Sequence, residues 1–426
     1  MTHWIAQITA YRQTMSAQWQ SRQALEWMQD KRLSAVLHAA YQTPYYKALF
    51  QQAELDPKAI ARVSDLNRLP VSTKRDLQDH ALVDRLARNV GPERLRSETS
   101  SGSTGAPFTV YFDNHYYRTR SFVFLRALRA VGYRPGQRVL LITQARPGKQ
   151  KRRWLNWRYA SIEDSPEVLA EIYTQFRPHL LYGCTTALRL LAEHGFSAQG
   201  APWSSNTVVT TAEGIDSGTR CLLETTFGAP VYDFYGLSEI GLVAWQCPTS
   251  GAYHMAEDLV FPELLPTAKA QQSARLVLTN LAQRVMPFIR YDTGDLCVPH
   301  AGPCACGRTF SLIHRFEGRE IDCIVLSSGL KVSPYRLTCA FEKLENINRF
   351  RICQQDYTRF TVLLETSVRD SATLIKRTKN RLNKALGTEV QVTVHLVPKL
   401  EHQPGRKFRV VESSLGSNRR DPKEPP

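Results

Sequence analysis

A chain of 426 residues, 42% hydrophobic and 22% charged, can bury a large core and is expected to divide into more than one domain. No apolar run approaches the roughly 18 residues of a membrane span, the opening Met1-Thr-His-Trp-Ile-Ala-Gln7 lacks the order of a secretory signal, and nine irregularly spaced cysteines argue against a disulfide framework. A cytoplasmic protein with reduced thiols or metal ligands is expected, and its formal charge of +16 draws anions, leaving phosphorylated small molecules, an acidic carrier protein and nucleic acid open.

The first ninety residues read as helical scaffold, with Leu25, Met28, Leu33, Val36, Leu37 and Ala40 near helical spacing. The run Thr99-Ser-Ser-Gly-Ser-Thr-Gly-Ala-Pro107 follows. Its small residues expose backbone N–H groups, Gly102 and Gly105 allow positive φ, and Ser100, Ser101, Ser103 and Thr104 add hydroxyls around an anion. Such a run alone is more often than not a flexible surface linker, and it lacks the Gly-Lys-Ser/Thr ending of a P-loop. Next come short β-rich runs at 138–142, 179–182, 207–210 and 231–234, with a helix from Thr186 to His194 among them. This alternation predicts a largely parallel, layered α/β domain with ligands at its strand ends. The basic Lys149-Gln-Lys-Arg-Arg153, followed by Trp154 and Trp157, has the composition of a single-strand binder, but no nucleic-acid motif accompanies it and it reads as a solvated loop.

Cys247-x6-His254 and Cys304-x-Cys306 make a candidate Cys3His set, which would hold structural zinc in a closed tetrahedron; the bland alternative is cysteines buried as small apolar groups. Asp295 follows a glycine at the end of a predicted strand. Beyond Gly318 the pattern becomes a hairpin over 323–332, a helix from Pro334, strands around Phe350 and Phe360, a helix from Asp370 to Leu386 and a strand over 392–397. These form an α+β unit of about a hundred residues, large enough to fold separately. The tail 417–426 has no apolar content and is expected to be disordered.

Four segments arrive in a fixed order: Thr99 to Pro107, Tyr235-Gly-Leu-Ser-Glu239, Arg290-Tyr-Asp-Thr-Gly-Asp295 and Gly318-Arg-Glu-Ile-Asp322. Together they resemble the signature motifs of the acyl-adenylate-forming superfamily of acyl-CoA synthetases, adenylation domains and luciferases. Within it, Thr43-Pro-Tyr-Tyr46, Leu69-Pro-Val-Ser-Thr-Lys74, Met286-Pro-Phe-Ile-Arg-Tyr291 and Gly405-Arg-Lys-Phe-Arg409 resemble the compact phenylacetate-CoA ligase branch. The resemblance implies an α/β fold with a large layered N-terminal AMP-binding domain, 1–317, and a small mobile α+β C-terminal lid, 318–416. It implies ATP- and Mg²⁺-dependent activation of a carboxylic acid, aromatic or hydrophobic, to an acyl-adenylate, then transfer to CoA. Transfer to an amine or a carrier-protein thiol is the alternative, and a basic nucleic-acid-binding module with decayed motifs is the non-enzymatic one.

Site residues follow from the same resemblance. Ser100, Ser101, Gly102, Ser103, Thr104 and Gly105 would hold the β- and γ-phosphates. Tyr235 would pack on the adenine, with Gly236 nucleotide-binding in the same motif; Ser238 would bond the α-phosphate, Asp295 the ribose hydroxyls, Arg319 the same ribose or its phosphate, and Glu239 would be the Mg²⁺ ligand. Lys407, on a mobile loop, would stabilise charge at the α-phosphate. Arg406 interrupts the usual Gly-Lys pair and is an alternative for that contact, Ile321-Asp322 replaces the usual adjacent hinge aspartates, and Gly329 suits rotation of the lid. Some relatives of this branch carry zinc where Cys247, His254, Cys304 and Cys306 fall. The acyl pocket is expected near Tyr182 to Thr186 and Thr210 to Glu213; Phe122 and Phe124 could line it, but at their spacing ordinary core packing is the safer reading. A glycine-rich segment expected of a phenylacetate enzyme between Ile142 and Ile162 is replaced by the basic stretch, so that substrate does not follow.

Overall fold

The computed structural model describes residues 2–87, 91–100, 108–143, 156–199, 203–267, 273–329, 331–341, 344, 347, 349–366, 368, 372–387, 390–400 and 409–415. Three helices open the chain: α1 (Thr2–Ala17), α2 (Arg22–Tyr41) and α3 (Pro44–Gln52). In α2 the Ser21 side chain accepts from the Ala24 N–H as N-cap, and Leu25, Leu33, Val36, Leu37 and Ala40 are buried along one face. In α3 the cap is Thr43 and Pro44 sits in the first turn, where its missing N–H costs nothing. Then come β1 (Ser72–Thr73), α4 (Lys74–Gln78), α5 (Leu82–Arg85), the paired β2 (Arg96–Ser100) and β3 (Phe108–Phe112), and α6 (Asn114–Ala130), capped by Asp113.

The central α/β region runs β4 (Val139–Thr143), β5 (Trp157–Ser161), α7 (Pro166–Phe176), β6 (Leu180–Cys184), α8 (Thr185–Gln199), β7 (Thr207–Thr211), α9 (Ser217–Phe227) and β8 (Val231–Leu237). Strands β5, β4, β6, β7 and β8 pair in parallel, as the alternating pattern predicts. The expectation of a largely parallel sheet fails beyond β8. There β9 (Gly241–Gln246), β10 (Tyr253–Met255), β11 (Val260–Pro266), β12 (Ala274–Asn280), β13 (Tyr291–Pro299) and β14 (Leu312–Arg319) extend the same twelve-stranded sheet with antiparallel pairings. The reason is connection length: only residues 238–240 join β8 to β9, and a parallel crossover needs a dozen or more.

After β14 the chain forms the hairpin β15 (Ile324–Val325) and β16 (Lys331–Val332), α10 (Pro334–Cys339), β17 (Arg349–Gln354), β18 (Arg359–Glu365), α11 (Ala372–Leu386), β19 (Gln391–Val397) and β20 (Val411–Ser413). Strands in the order β19-β18-β17-β20 make a separate sheet, whose core of Ile324, Val332, Leu337, Ile352, Phe360, Val362 and Leu382 is its own cluster. Architecture is therefore α/β, a large layered N-terminal part carrying a small α+β C-terminal part. Among the described residues no helix is long and apolar enough to cross a membrane. Residues 149–154 and 417–426 lie outside the described residues.

Candidate active site

Strand register assembles the first part of the site. Asp295 and Arg319 are direct partners across β13 and β14, so both side chains leave the same face and stand with Arg319 Nε 3.7 Å from Asp295 Oδ1. From β8, Tyr235 stacks on Phe316 with ring centroids 3.9 Å apart and donates its hydroxyl to Asp295 Oδ2 at 2.6 Å. Burial, and then the Asp295 charge, hold the Tyr235 hydroxyl well above its ordinary range, so it stays a donor and fixes the carboxylate. Asp295 is not at a strand end as expected. It lies inside β13, where Arg275 pairs with Leu296 and Val277 with Asp292, so Thr293, Gly294 and Asp295 bulge opposite Leu276. Gly294 takes φ 72° there, and the Thr293 hydroxyl ties the bulge to the Leu276 carbonyl at 2.8 Å. Bulges re-aim side chains, and this one turns Asp295 toward Tyr235.

These groups line a cavity of about 680 Å³ between the large sheet and the small C-terminal part. Tyr235, Gly236, Asp295 and Arg319 wall one side, and Phe350 and Arg409 of the C-terminal part the other. Thr185, Thr186, Ala212 and Glu213 line it too, within the segments expected to border the acyl pocket. Ala212 sits at φ 69°, an unusual conformation that sends Glu213 back over the start of α8, where its carboxylate accepts from the Thr186 N–H at 2.8 Å and hydroxyl at 2.6 Å. Behind this wall Phe124 meets Tyr182 edge-on at 5.1 Å and Phe234 at 6.4 Å, an aromatic layer that makes Phe124 core, as read.

Glu239 occupies the β8–β9 turn with Ser238 beside it, 6% exposed. Its Oε1 accepts from the Tyr291 hydroxyl at 3.1 Å and lies 3.6 Å from Lys74 Nζ. Lys74 arrives because β1 pairs in parallel with β13, Ser72 opposite Tyr291, and the Ser72 hydroxyl donates to the Ile289 carbonyl. Arg85 and Lys74 stand 5.1 Å and 5.5 Å from the Phe108 ring. Two guanidinium nitrogens of Arg85, Nε and Nη1, are buried without a hydrogen-bond partner. Neither cation was singled out for a role in the sequence, since nothing local in Leu69 to Lys74 or near Arg85 announces a contact with a distant turn. Ser100 closes β2 opposite Phe108, whereas Ser101, Gly102, Ser103, Thr104 and Gly105, like Arg406 and Lys407, lie outside the described residues. At the expected hinge Asp322 Oδ1 lies 3.6 Å from Arg409 Nη1, and burial raises the Asp322 carboxyl against the pull of that arginine. Gly329 turns the β15–β16 hairpin at φ 74°.

A second cluster lies at the far ends of β9 and β10. The candidate ligand atoms of Cys247, His254, Cys304 and Cys306 all fall within 4.8 Å of one another. Cys247 Sγ and Cys304 Sγ are 3.7 Å apart, close to the ~3.8 Å edge of a tetrahedron with bonds of about 2.3 Å. His254 Nε2 faces Cys306 Sγ at 3.2 Å while Nδ1 faces the Phe310 carbonyl at 3.2 Å, an arrangement that fixes the ring with Nε2 inward. Burial raises the Cys247 thiol, but hydrogen bonds from His254 and the Ser250 and Thr249 amides outweigh it and hold the thiol below its ordinary range.

No protein-family model matches the chain. A phenylacetate-coenzyme A ligase of Thermus thermophilus is 29% identical over 336 residues, 74% of this chain and 74% of that protein. One from Escherichia coli is 28% identical over 346 residues, 76% and 77% of the two chains. The crystal structure of 2-hydroxyisobutyryl-CoA ligase in the postadenylation state with 2-HIB-AMP superposes with a TM-score of 0.80 at 19% identity, covering 94% of this chain and 92% of that one. Long sequence matches and a whole-chain fold match agree. The chain groups with the acyl-adenylate-forming superfamily, in its phenylacetate-CoA ligase-like branch.

The ordered motifs thus meet in space: Tyr235, Gly236, Asp295 and Arg319 in one cavity wall, Glu239 in the adjoining turn. Gly236 has a steric reason to be glycine, because a Cβ there would stand 2.9 Å from the Gly241 carbonyl oxygen across the hairpin.

Proposed function

We propose that this protein is an ATP-dependent ligase that converts a carboxylic acid to its acyl-adenylate, releasing pyrophosphate, and then forms the CoA thioester, releasing AMP. The observation that carries the reading is the Tyr235–Asp295–Arg319 triangle opening on a cavity shared by both parts of the chain. In the first step a carboxylate oxygen attacks the α-phosphorus and the bond to pyrophosphate breaks. In the second the CoA sulfur attacks the acyl carbonyl, its proton passes to solvent, and AMP leaves with the bonding pair. Asp295, pinned by Tyr235, accepts the ribose hydroxyls, and Arg319 reaches the same sugar. Lys74 and Arg85 supply fixed positive charge toward the leaving pyrophosphate.

Glu239 fits a hard cation: it is a buried carboxylate held by one hydroxyl and one ammonium. A magnesium ion held there by Glu239 would supply positive charge to offset that of the phosphates. The Cys3His cluster fits zinc in geometry and donor chemistry and would brace the β9–β10 end against the loop before β14. The chain divides after residue 317, with the hinge at Ile321-Asp322, and Lys407 enters from the C-terminal lid. The apolar side chains that line the cavity, Phe234, Leu237, Phe316 and Phe341 among them, favour an aromatic or apolar acid, and a cytoplasmic setting suits a consumer of ATP and CoA.

The test is a panel of aromatic, branched and straight-chain acids read by pyrophosphate–ATP exchange, followed by CoA thioester formation with the best acid. Exchange with an aromatic or apolar acid is expected. Exchange with none, in folded protein supplied with magnesium, would sink the reading.

A further inference from the structure

A second concavity, sharing no lining residue with the first, opens between α1, α6 and the loop that carries Cys304 and Cys306. Its volume is about 590 Å³. Its ten lining residues include four arginines, Arg12, Arg126, Arg129 and Arg308, and no carboxylate. Arg126 is paired with Asp258 behind the cleft, whereas Arg12, Arg129 and Arg308 have no carboxylate partner among the described residues.

The arginines are held from behind. Arg126, 1% exposed, donates both Nη groups to Asp258 at 2.7 Å, while its Nε is buried with no hydrogen-bond partner. Arg129 Nη1 donates to the Tyr11 hydroxyl at 2.7 Å, and Arg308 Nε to Gln18 Oε1 at 2.9 Å. Arg308 also lies over Trp19, 4.8 Å from the ring, and Arg12 is exposed. Fixing a guanidinium through one edge removes much of the entropic cost of presenting the other to an anion. Alongside stand Tyr11, Met15 and Trp19, the last 52% exposed.

We infer that this cleft is a second ligand site, for a phosphomonoester carrying an aromatic or apolar group. Arg12, Arg129 and Arg308 match phosphate oxygens, Trp19 and Met15 match the organic portion, and the volume falls in the range of small-molecule sites, roughly 300–1,000 Å³. The donors gather in one concavity instead of running as a stripe, which favours a compact ligand over a nucleic-acid strand. Helix α6 joins this cleft to the first site, since Tyr116 at its start donates to the Ile240 carbonyl, one residue beyond Glu239.

Titration calorimetry of the full chain with phenyl phosphate tests this, with inorganic phosphate and a short oligodeoxythymidine as comparison probes. One equivalent of phenyl phosphate is expected to bind, at least tenfold tighter than inorganic phosphate. The double variant Arg12→Ala/Arg308→Ala should lose tenfold or more of that affinity with an unchanged melting temperature, whereas Asp295→Ala, in the first cavity, should not weaken it. Trp19→Leu should weaken phenyl phosphate and spare inorganic phosphate. Should the double variant melt early, Arg129→Ala, on an exposed side chain, asks the same question. No heat at millimolar phenyl phosphate, binding that follows Asp295 instead of the arginines, or preference for the oligonucleotide would overturn the inference.

Discussion

A single hydroxyl, that of Tyr235, couples the ring that bounds the cavity to Asp295, the carboxylate proposed to accept the ribose. Tyr235→Phe keeps the stack on Phe316 and removes only that bond. Loss of a hydrogen bond to a charged group costs about 1.5–3 kcal/mol, so the KM for ATP in pyrophosphate exchange should rise by tenfold or more while kcat changes less; an unchanged KM would show that Asp295 needs no such anchor. Lys74 and Arg85 belong to the rate instead. Either alanine variant should lower kcat for exchange by about a hundredfold, as removal of one fixed stabilising group typically does, and an effect confined to KM would move them out of the phosphate path. A fourth residue gives a pH signature. Buried Asp233, receiving the Thr210 and Tyr253 hydroxyls, has its carboxyl pushed up to about 6 by desolvation, which those bonds only partly offset. Its folded value lies above its unfolded one, so the folded state binds the extra proton and this group favours folding at low pH, a contribution lost as pH rises from about 4 through 6. Asp233→Asn should therefore gain in melting temperature relative to the parent across that window. A constant difference between the two would contradict the shift.

At the level of elements, the bulge in β13 and the β8–β9 hairpin convert sheet regularity into a site. Gly294→Ala forces a Cβ into φ 72° and should destabilise by about 1 kcal/mol or more, and because it re-aims Asp295 it should impair nucleotide binding beyond what the lost stability explains. Measuring ATP affinity well below the variant's melting temperature separates the two. The Cys3His cluster likewise ties elements together. Purified protein should carry one zinc per chain by elemental analysis, and chelation or His254→Ala should lower the melting temperature with little change in exchange at low temperature; zinc-free protein of unaltered stability would leave the four residues as a packed apolar knot.

What the sequence displayed at this scale follows from range. Strands β6 and β7 and helix α8 are set by local runs such as Leu180 to Tyr182 and Thr207 to Val209, and the signal is strong. The Cys247, His254, Cys304, Cys306 set was legible because thiols and imidazole at short spacings have few other uses. The antiparallel half was not, because the pattern of β11 to β14 says strand without saying with which neighbour, and only the short turn after β8 dictates the reversal. Lys74 was illegible in role for the same reason: its meeting with Glu239 depends on the two-residue pairing of β1 with β13, distant in sequence and invisible to any local periodicity.

On the scale of the whole molecule, the C-terminal part has its own sheet and its own core, with Phe360, Val362 and Leu382 packed independently of the large sheet. Yet the cavity takes walls from both sheets' surroundings: Tyr235 and Arg319 stand on strands of the large sheet, Arg319 just past residue 317, and Phe350 and Arg409 belong to the small part. A chain ending at residue 317 should therefore stay folded, with a single thermal transition, because the burial that supports the large sheet is contained within it. It retains Tyr235, Glu239 and Asp295 but loses Arg319, so ATP affinity should fall by about tenfold, the cost of roughly 1.4 kcal/mol for one charged contact. Exchange should fall far more, to below one hundredth, because Lys407 and the second wall that excludes water are both absent. Adding the separately prepared fragment 318–426 restores exchange only if the two parts dock without their covalent hinge. Full exchange by the 1–317 chain alone would mean that adenylation is finished within the large sheet and that the C-terminal part acts solely in thioester formation.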